Sequence, residues 1–430
     1  MVAAVMVVVV ADYNTDPQRT PNDLAGVTGG TTAPPTTNPL AVPSSMFGPS
    51  VWTMPVSGLA ADPRSDDWSG RLWRRANVGA PGNWLLLSGI AEPSNDYSAP
   101  VYDVSTATSQ RKVRRKYSFP GFFNIEANDT VPWNDAWRPA DGKDGFLVVV
   151  DPATGREWDF WNISFPGYQT EENDSTECVT DDVTHPFDDT KRFDPTTDLC
   201  AASAMLVRSP DGAAADLRSY TGNFPGAGGG GIQNGPGIVF PEEVASGAVR
   251  HAWKLTIVNS MFGPECSPSD LTDPTRFGIS CGSAVAPGGQ FERVATTEIA
   301  GMSRSETVPE GMRFALTISD ADIESWLNSK GYQGARRETA RVMAVSLRDY
   351  GWFITDSSPV GAGFTLSGAA NPATRQQWSA LGLTAESDRF LLQGLFTEDR
   401  LRVLAPPTSV CADGSSSVFY CWASSSSYER

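Results

Sequence analysis

The sequence predicts a mainly β protein with a few short helices packed on its sheets. Three observations carry that prediction. The chain holds 40 glycines and 32 prolines among 430 residues and only 19% charged residues, a composition of frequent turns and few long solvated helices. Its clearest apolar patterns alternate with a period of two, and the helical period appears only late in the chain. With 40% hydrophobic residues, the chain is long enough to bury a substantial core, as one large domain or two ordinary ones.

Taken in order, residues 1–11, MVAAVMVVVVA, form an apolar run like the h-region of a secretory signal, with Val9 and Ala11 at cleavage spacing. The run lacks a basic flank and has about half the length needed to span a bilayer, so an N-terminal strand is the other reading. No other segment is long and apolar enough to cross a membrane. Residues 12–45, rich in Pro, Thr, Gly and Asn, have almost nothing to bury and read as a linker or mobile arm. Residues 46–405 then make up the β-rich domain.

Within that domain, residues 104–119 and 312–318 suit strands. Residues 146–150 (FLVVV) are the clearest strand, and DPATG turns them into 156–163 (REWDFWNI), which predicts a hairpin. Residues 248–258 predict another strand, with Val249, His251, Trp253, Leu255 and Ile257 on one face. The glycine-rich stretch 222–237 contains no phosphate-cradle signature and reads as a flexible or closely packed surface loop. Ser319-Asp320-Ala321-Asp322 is capping chemistry for a short helix carrying Ile323, Trp326 and Leu327 and stopped at Gly331. A second helix over 336–350 has Val342, Met343, Ser346, Leu347 and Tyr350 at helical spacing and ends at Gly351. Residues 352–355 follow as a strand ending at Asp356. Residues 406–430 read as a small disulfide-closed hairpin with a frayed serine tail.

Six cysteines fall into sequential neighbours: Cys178 with Cys200, Cys266 with Cys281 and Cys411 with Cys421. Of the fifteen connectivities open to six cysteines, this one closes the shortest, most turn-rich loops. Three disulfides imply an oxidising compartment, hence an extracellular, secreted protein. Sequons at Asn128, Asn162 and Asn173 bear on glycosylation only in a host that glycosylates. The net charge of −17 disfavours long-range attraction to nucleic acid or anionic membrane. The local exception is the basic run Arg111-Lys112-Val113-Arg114-Arg115-Lys116, dense enough for a polyanion but more commonly a solvated face.

Residues 146–163, 237–257 with PEE and SGAVRHA, 308–318, and 340–357 with RDYGWFITD resemble a poorly characterised group of secreted bacterial proteins frequent in actinobacteria. The resemblance covers about a quarter of the chain. It implies a secreted, jelly-roll-like β domain acting on polysaccharide, and it names no catalyst.

In Glu157-Trp158-Asp159-Phe160-Trp161 the odd positions share a strand face, which sets the two carboxylates roughly 7 Å apart beside an indole. Paired carboxylates with a stacking ring are what glycoside hydrolysis requires. The spacing resembles the Glu-x-Asp-x-Glu motif of jelly-roll retaining glycosidases, but Trp161 occupies the third acidic position, and the plainer reading is a solvated strand face. Trp158 and Trp161 are the candidate sugar platforms; with thirteen tryptophans in the chain, core filling is the commoner use. His251, Tyr350 and Asp356 would suit proton abstraction, as in a polysaccharide lyase, if the fold gathered them. By default His251 is a buried, satisfied histidine. His185 sits in an Asp-rich loop over 181–189 that could chelate a cation but reads more plainly as solvated, and two histidines so differently placed argue against a multi-His metal centre. No cofactor fingerprint is present.

Two classes remain. One is an extracellular binding or structural protein that recognises polysaccharide or a cell-surface glycan through the aromatic and acidic strand face. The other is a carbohydrate-active enzyme, a glycoside hydrolase or polysaccharide lyase, on a β-sandwich. The first is preferred because no full catalytic set is assembled.

Overall fold

A computed structural model describes residues 52–75, 85–90, 98–116, 125, 130–140, 144–154, 156–165, 178, 194, 196–208, 234–257, 308, 310–357 and 363–405. The signal-like segment, the arm over 12–45, the Asp-rich loop, most of the glycine-rich loop, the sequons at Asn128 and Asn173, the pairs Cys266–Cys281 and Cys411–Cys421, and residues 406–430 lie outside the described residues.

Among the described residues the fold is mostly β, with two mixed six-stranded sheets and a few short helices. The first sheet contains β1 (Leu86–Ser88), β8 (Trp253–Ile257), β9 (Arg313–Leu316), β10 (Trp352–Ser357), β11 (Gly363–Thr365) and β12 (Leu401–Val403), in the order β1-β11-β8-β10-β9-β12. The second contains β2 (Val101–Asp103), β3 (Ser109–Arg115), β4 (Thr130–Trp133), β5 (Leu147–Asp151), β6 (Arg156–Ser164) and β7 (Leu199–Arg208), in the order β2-β5-β6-β7-β3-β4. Four pairings are parallel: β1 with β11, β8 with β10, β2 with β5, and β3 with β7. Jelly rolls are antiparallel, so these crossovers depart from the expected topology.

The expected hairpin forms, with Val148 opposite Asp159 and Val150 opposite Glu157. Asp151 makes its turn, accepting from Ala153 N at 3.0 Å and from the Thr154 hydroxyl at 2.6 Å. The strand expected over 248–258 begins only at Trp253. Helix α2 (Pro241–Ala245) and the bend after it occupy the preceding residues, and Gly247, at φ +88°, turns the chain between them. Residues 104–119 also shorten. Val104–Thr106 forms a 3₁₀ turn capped by Asp103, whose carboxylate accepts from Ser105 N at 2.7 Å, and the strand runs over Ser109–Arg115.

Helix α1 (Ser65–Gly70) packs beside β12. Helix α3 (Asp320–Lys330) is capped by Ser319 and Asp322 and stopped by Gly331 in the left-handed conformation. Helix α4 (Gly334–Asp349) buries Ala340, Met343, Ala344 and Leu347 against the first sheet. Helix α5 (Pro372–Ala380) buries Trp378 in the same core. No described helix is long and apolar enough to cross a membrane.

Tryptophan is chiefly core filler: Trp52, Trp68, Trp133, Trp137, Trp253, Trp352 and Trp378 are fully buried. The basic run is woven into β3 instead of forming a solvated face. Arg114 is buried with its Nε 2.9 Å from Asp198 Oδ2, Lys116 donates to Asn162 Oδ1, and Arg111 pairs with Asp135 at 2.7 Å.

Candidate functional site

Strand β6 divides its side chains as its period requires. Trp158 and Phe160 enter the apolar core with Trp133, Leu147 and Val149, while Glu157 and Asp159 take the opposite face beside Val148 and Val150. That second face is not solvated, which corrects the plainer sequence reading. Glu157 is 1% exposed and Asp159 is 0% exposed. The buried segment from Asn234 to Phe240 covers it: Ile238 and Phe240 pack on Val148 and Val150.

Where this segment begins, Asn234–Gly237, its backbone amides meet the two carboxyls. Asn234 N donates to Asp159 Oδ2 at 3.0 Å, and Gly235 N donates to Glu157 Oε1 at 2.6 Å. Carboxylates are thus the acceptors for a tight buried turn whose amides would otherwise be orphaned. Lys254 reaches the same place from β8 in the other sheet. Its neighbours Trp253 and Leu255 enter the core of the first sheet, and Lys254 points the other way and donates from Nζ to Asn234 Oδ1. Gly237 lies hard against its stem, since a Cβ there would sit 2.2 Å from Lys254 Cγ and 2.7 Å from the Trp52 ring.

The electrostatics follow from burial. Desolvation pushes Glu157 well above the usual carboxyl range, and the Asp159 charge adds to it; the Gly235 bond and the Lys254 charge pull the other way. Desolvation lowers Lys254 from the usual amine value, partly offset by attraction to Asp159, Asp356 and Glu157. One proton on the carboxyl pair beside one ammonium leaves a buried cluster of zero net charge, the arrangement least costly in low dielectric.

The remaining candidates scatter. His251 is buried but precedes β8. Its Nε2 faces Glu243 Oε2 at 3.0 Å, and its Nδ1 faces the Ala252 carbonyl at 2.8 Å, so its ring is engaged with neither Tyr350 nor Asp356. Tyr350 ends α4, with its carbonyl accepting from Arg313 Nε at 3.1 Å. Asp356 lies on β10 opposite Thr256 and acts on Lys254. Trp158, at 8% exposure, faces away from the carboxyls and packs in the apolar core. Trp161 is half-buried, with its indole N–H donating to Asp144 Oδ1 at 3.1 Å. The Cys178–Cys200 disulfide forms.

Sequence reasoning missed Lys254, Asn234 and Glu243. The available signal was a lone lysine inside the apolar strand Trp-Lys-Leu-Thr-Ile, because a charge there must find a buried partner. Comparison of the chain with protein-family models, curated proteins and solved structures finds no match.

Proposed function

We propose that this protein is an extracellular structural or binding domain and that its paired carboxylates serve the fold, not glycan turnover. The observation that carries this reading is the burial of Glu157 and Asp159 under the turn at Asn234 and Gly235, whose backbone amides each take one carboxyl oxygen and leave no room for a sugar. A glycosidase needs both carboxyls beside the scissile bond, with room for sugar and water between them. The Cys178–Cys200 disulfide supports an oxidising compartment, and the stretches resembling secreted actinobacterial proteins support secretion.

The sandwich reading of the two sheets belongs to the same proposal, supported by Ile238, Phe240 and Lys254 lying between them. Polysaccharide or cell-surface glycan is the partner class that fits, and within β6 only Trp161 retains ring surface for such a contact.

The test combines a glycan array with reducing-sugar and unsaturated-product assays on the full chain. Binding without product, weakened by Trp161→Ala by an amount on the order of 1 kcal/mol, supports a glycan-binding domain. Silence throughout leaves a structural domain. Product formation that Glu157→Gln reduces by about a hundredfold or more in a folded protein would overturn the proposal and establish an enzyme.

A further inference from the structure

The cluster brings an amine and a carboxamide into contact beside two carboxyl groups, all withdrawn from water. Lys254 Nζ reaches Asn234 Oδ1, and the oxygen it reaches is bonded to Cγ, the one electrophilic carbon of that side chain. Both residues are buried, at 6% and 3% exposure. Asn234 Nδ2 is buried and makes no hydrogen bond among the described residues, so the carboxamide is held through its oxygen and its backbone and not through its nitrogen. Asp159 and Glu157 grip the two backbone amides that flank the Asn234 Cα, those of Asn234 and Gly235, and both act electrostatically on Lys254. The lysine stem lies directly against Gly237, where no side chain would fit, which limits the rotamer freedom that ordinarily separates such groups.

We propose that Lys254 and Asn234 are a self-processing pair that joins through an amide bond between Nζ and Cγ, with Glu157 and Asp159 as its proton carriers. The step balances without an oxidant or co-reactant. The Lys254 ammonium gives one proton to the carboxylate of the pair, and the lone pair of the neutral amine attacks Cγ while the carbonyl π electrons move to Oδ1. The carboxyl pair then protonates Nδ2. The carbonyl re-forms, the Cγ–Nδ2 bond breaks with its electrons leaving on nitrogen, and the carboxyl pair takes the surplus proton from Nζ. Ammonia departs and is protonated in turn, so the net change is ammonium plus carboxamide giving a secondary amide plus ammonium ion.

Burial favours each requirement. It pushes Lys254 toward the neutral, nucleophilic form and Glu157 toward the protonated, donating form, and it keeps water from competing for the carbonyl. The bond would tie β8 of one sheet to the turn that covers the carboxylate face of the other. Because ammonia is the only leaving group, the reaction is indifferent to the redox state of the compartment and does not depend on the extracellular assignment.

Intact mass spectrometry of the reduced, full-length chain is the test. The expected result is a mass lower than that of the sequence by about 17 Da, the loss of one ammonia. Trypsin should fail to cut after Lys254, and the peptides carrying Asn234 and Lys254 should be recovered as one branched species. Lys254→Met, Asn234→Ala and Glu157→Gln should each restore the full mass. The wild-type measurement stands even if a variant fails to fold. An unshifted mass, with separate linear peptides, overturns the proposal. So does the same loss with normal cleavage after Lys254, because Asn234-Gly235 can also lose ammonia by closing a backbone succinimide, which leaves the lysine free.

Discussion

His251 Nε2 lies 3.0 Å from Glu243 Oε2 with both side chains buried, which ties helix α2 to the chain entering β8. The other ring nitrogen faces the Ala252 carbonyl, so both nitrogens point at acceptors and the ring is satisfied at both only as imidazolium. Burial opposes that charge, but the Glu243 carboxylate and the bonds to Glu243 and Ala252 outweigh it and raise the imidazole above its ordinary value. A raised folded value means that stability is fully present below about pH 6.5 and is lost as pH rises through the folded value. Melting temperatures of wild type and His251→Gln, measured from about pH 6 to 9, should therefore converge as pH rises. A difference that grows with pH would show the ring to be neutral in the fold.

The Cys178–Cys200 bond joins residues separated by 22 positions and anchors Cys178 to the start of β7. Closing a loop of that size should contribute about 3 kcal/mol. Replacing both cysteines with serine should lower the unfolding free energy by roughly that amount in chemical denaturation. An unchanged midpoint would mean that the loop is held by other contacts.

Gly351 links α4 to β10 at φ +68°, and a Cβ there would sit 2.0 Å from the Phe314 carbonyl oxygen on the neighbouring strand β9. Strain and clash act together, so Gly351→Ala should destabilise by more than about 2 kcal/mol. Thermal unfolding checks this, with Gly331→Ala as the comparison: Gly331 also has positive φ, at +65°, but meets nothing within 4 Å and should lose only about 1 kcal/mol.

Ser319 Oγ accepts from Asp322 N at 3.1 Å, and Asp322 Oδ2 accepts in return from Ser319 N at 2.9 Å, closing the start of α3. Ser319→Ala should cost about 1 kcal/mol, read as a shift in denaturant midpoint with an unchanged slope.

The sequence by itself determined those elements whose signals are local. The β5–β6 hairpin, the capping of α3, the stop at Gly331 and the stripe of α4 each depend on residues a few positions apart, and each stands where its pattern placed it. Alternation along β6 likewise separated Glu157 and Asp159 from Trp158 and Phe160. What alternation could not reveal is what covers each face. Whether a carboxylate lies in water or under a turn depends on a segment 75 residues away, and the partner of Lys254 comes from outside its own sheet. Only the tertiary structure decided that Glu157, Asp159, Asn234 and Lys254 share one dry site, and that His251 pairs with Glu243 and not with Tyr350 or Asp356. The physical reason is that burial and charge pairing are set by long-range packing, whereas strand period, helix caps and turns are set by neighbours along the chain.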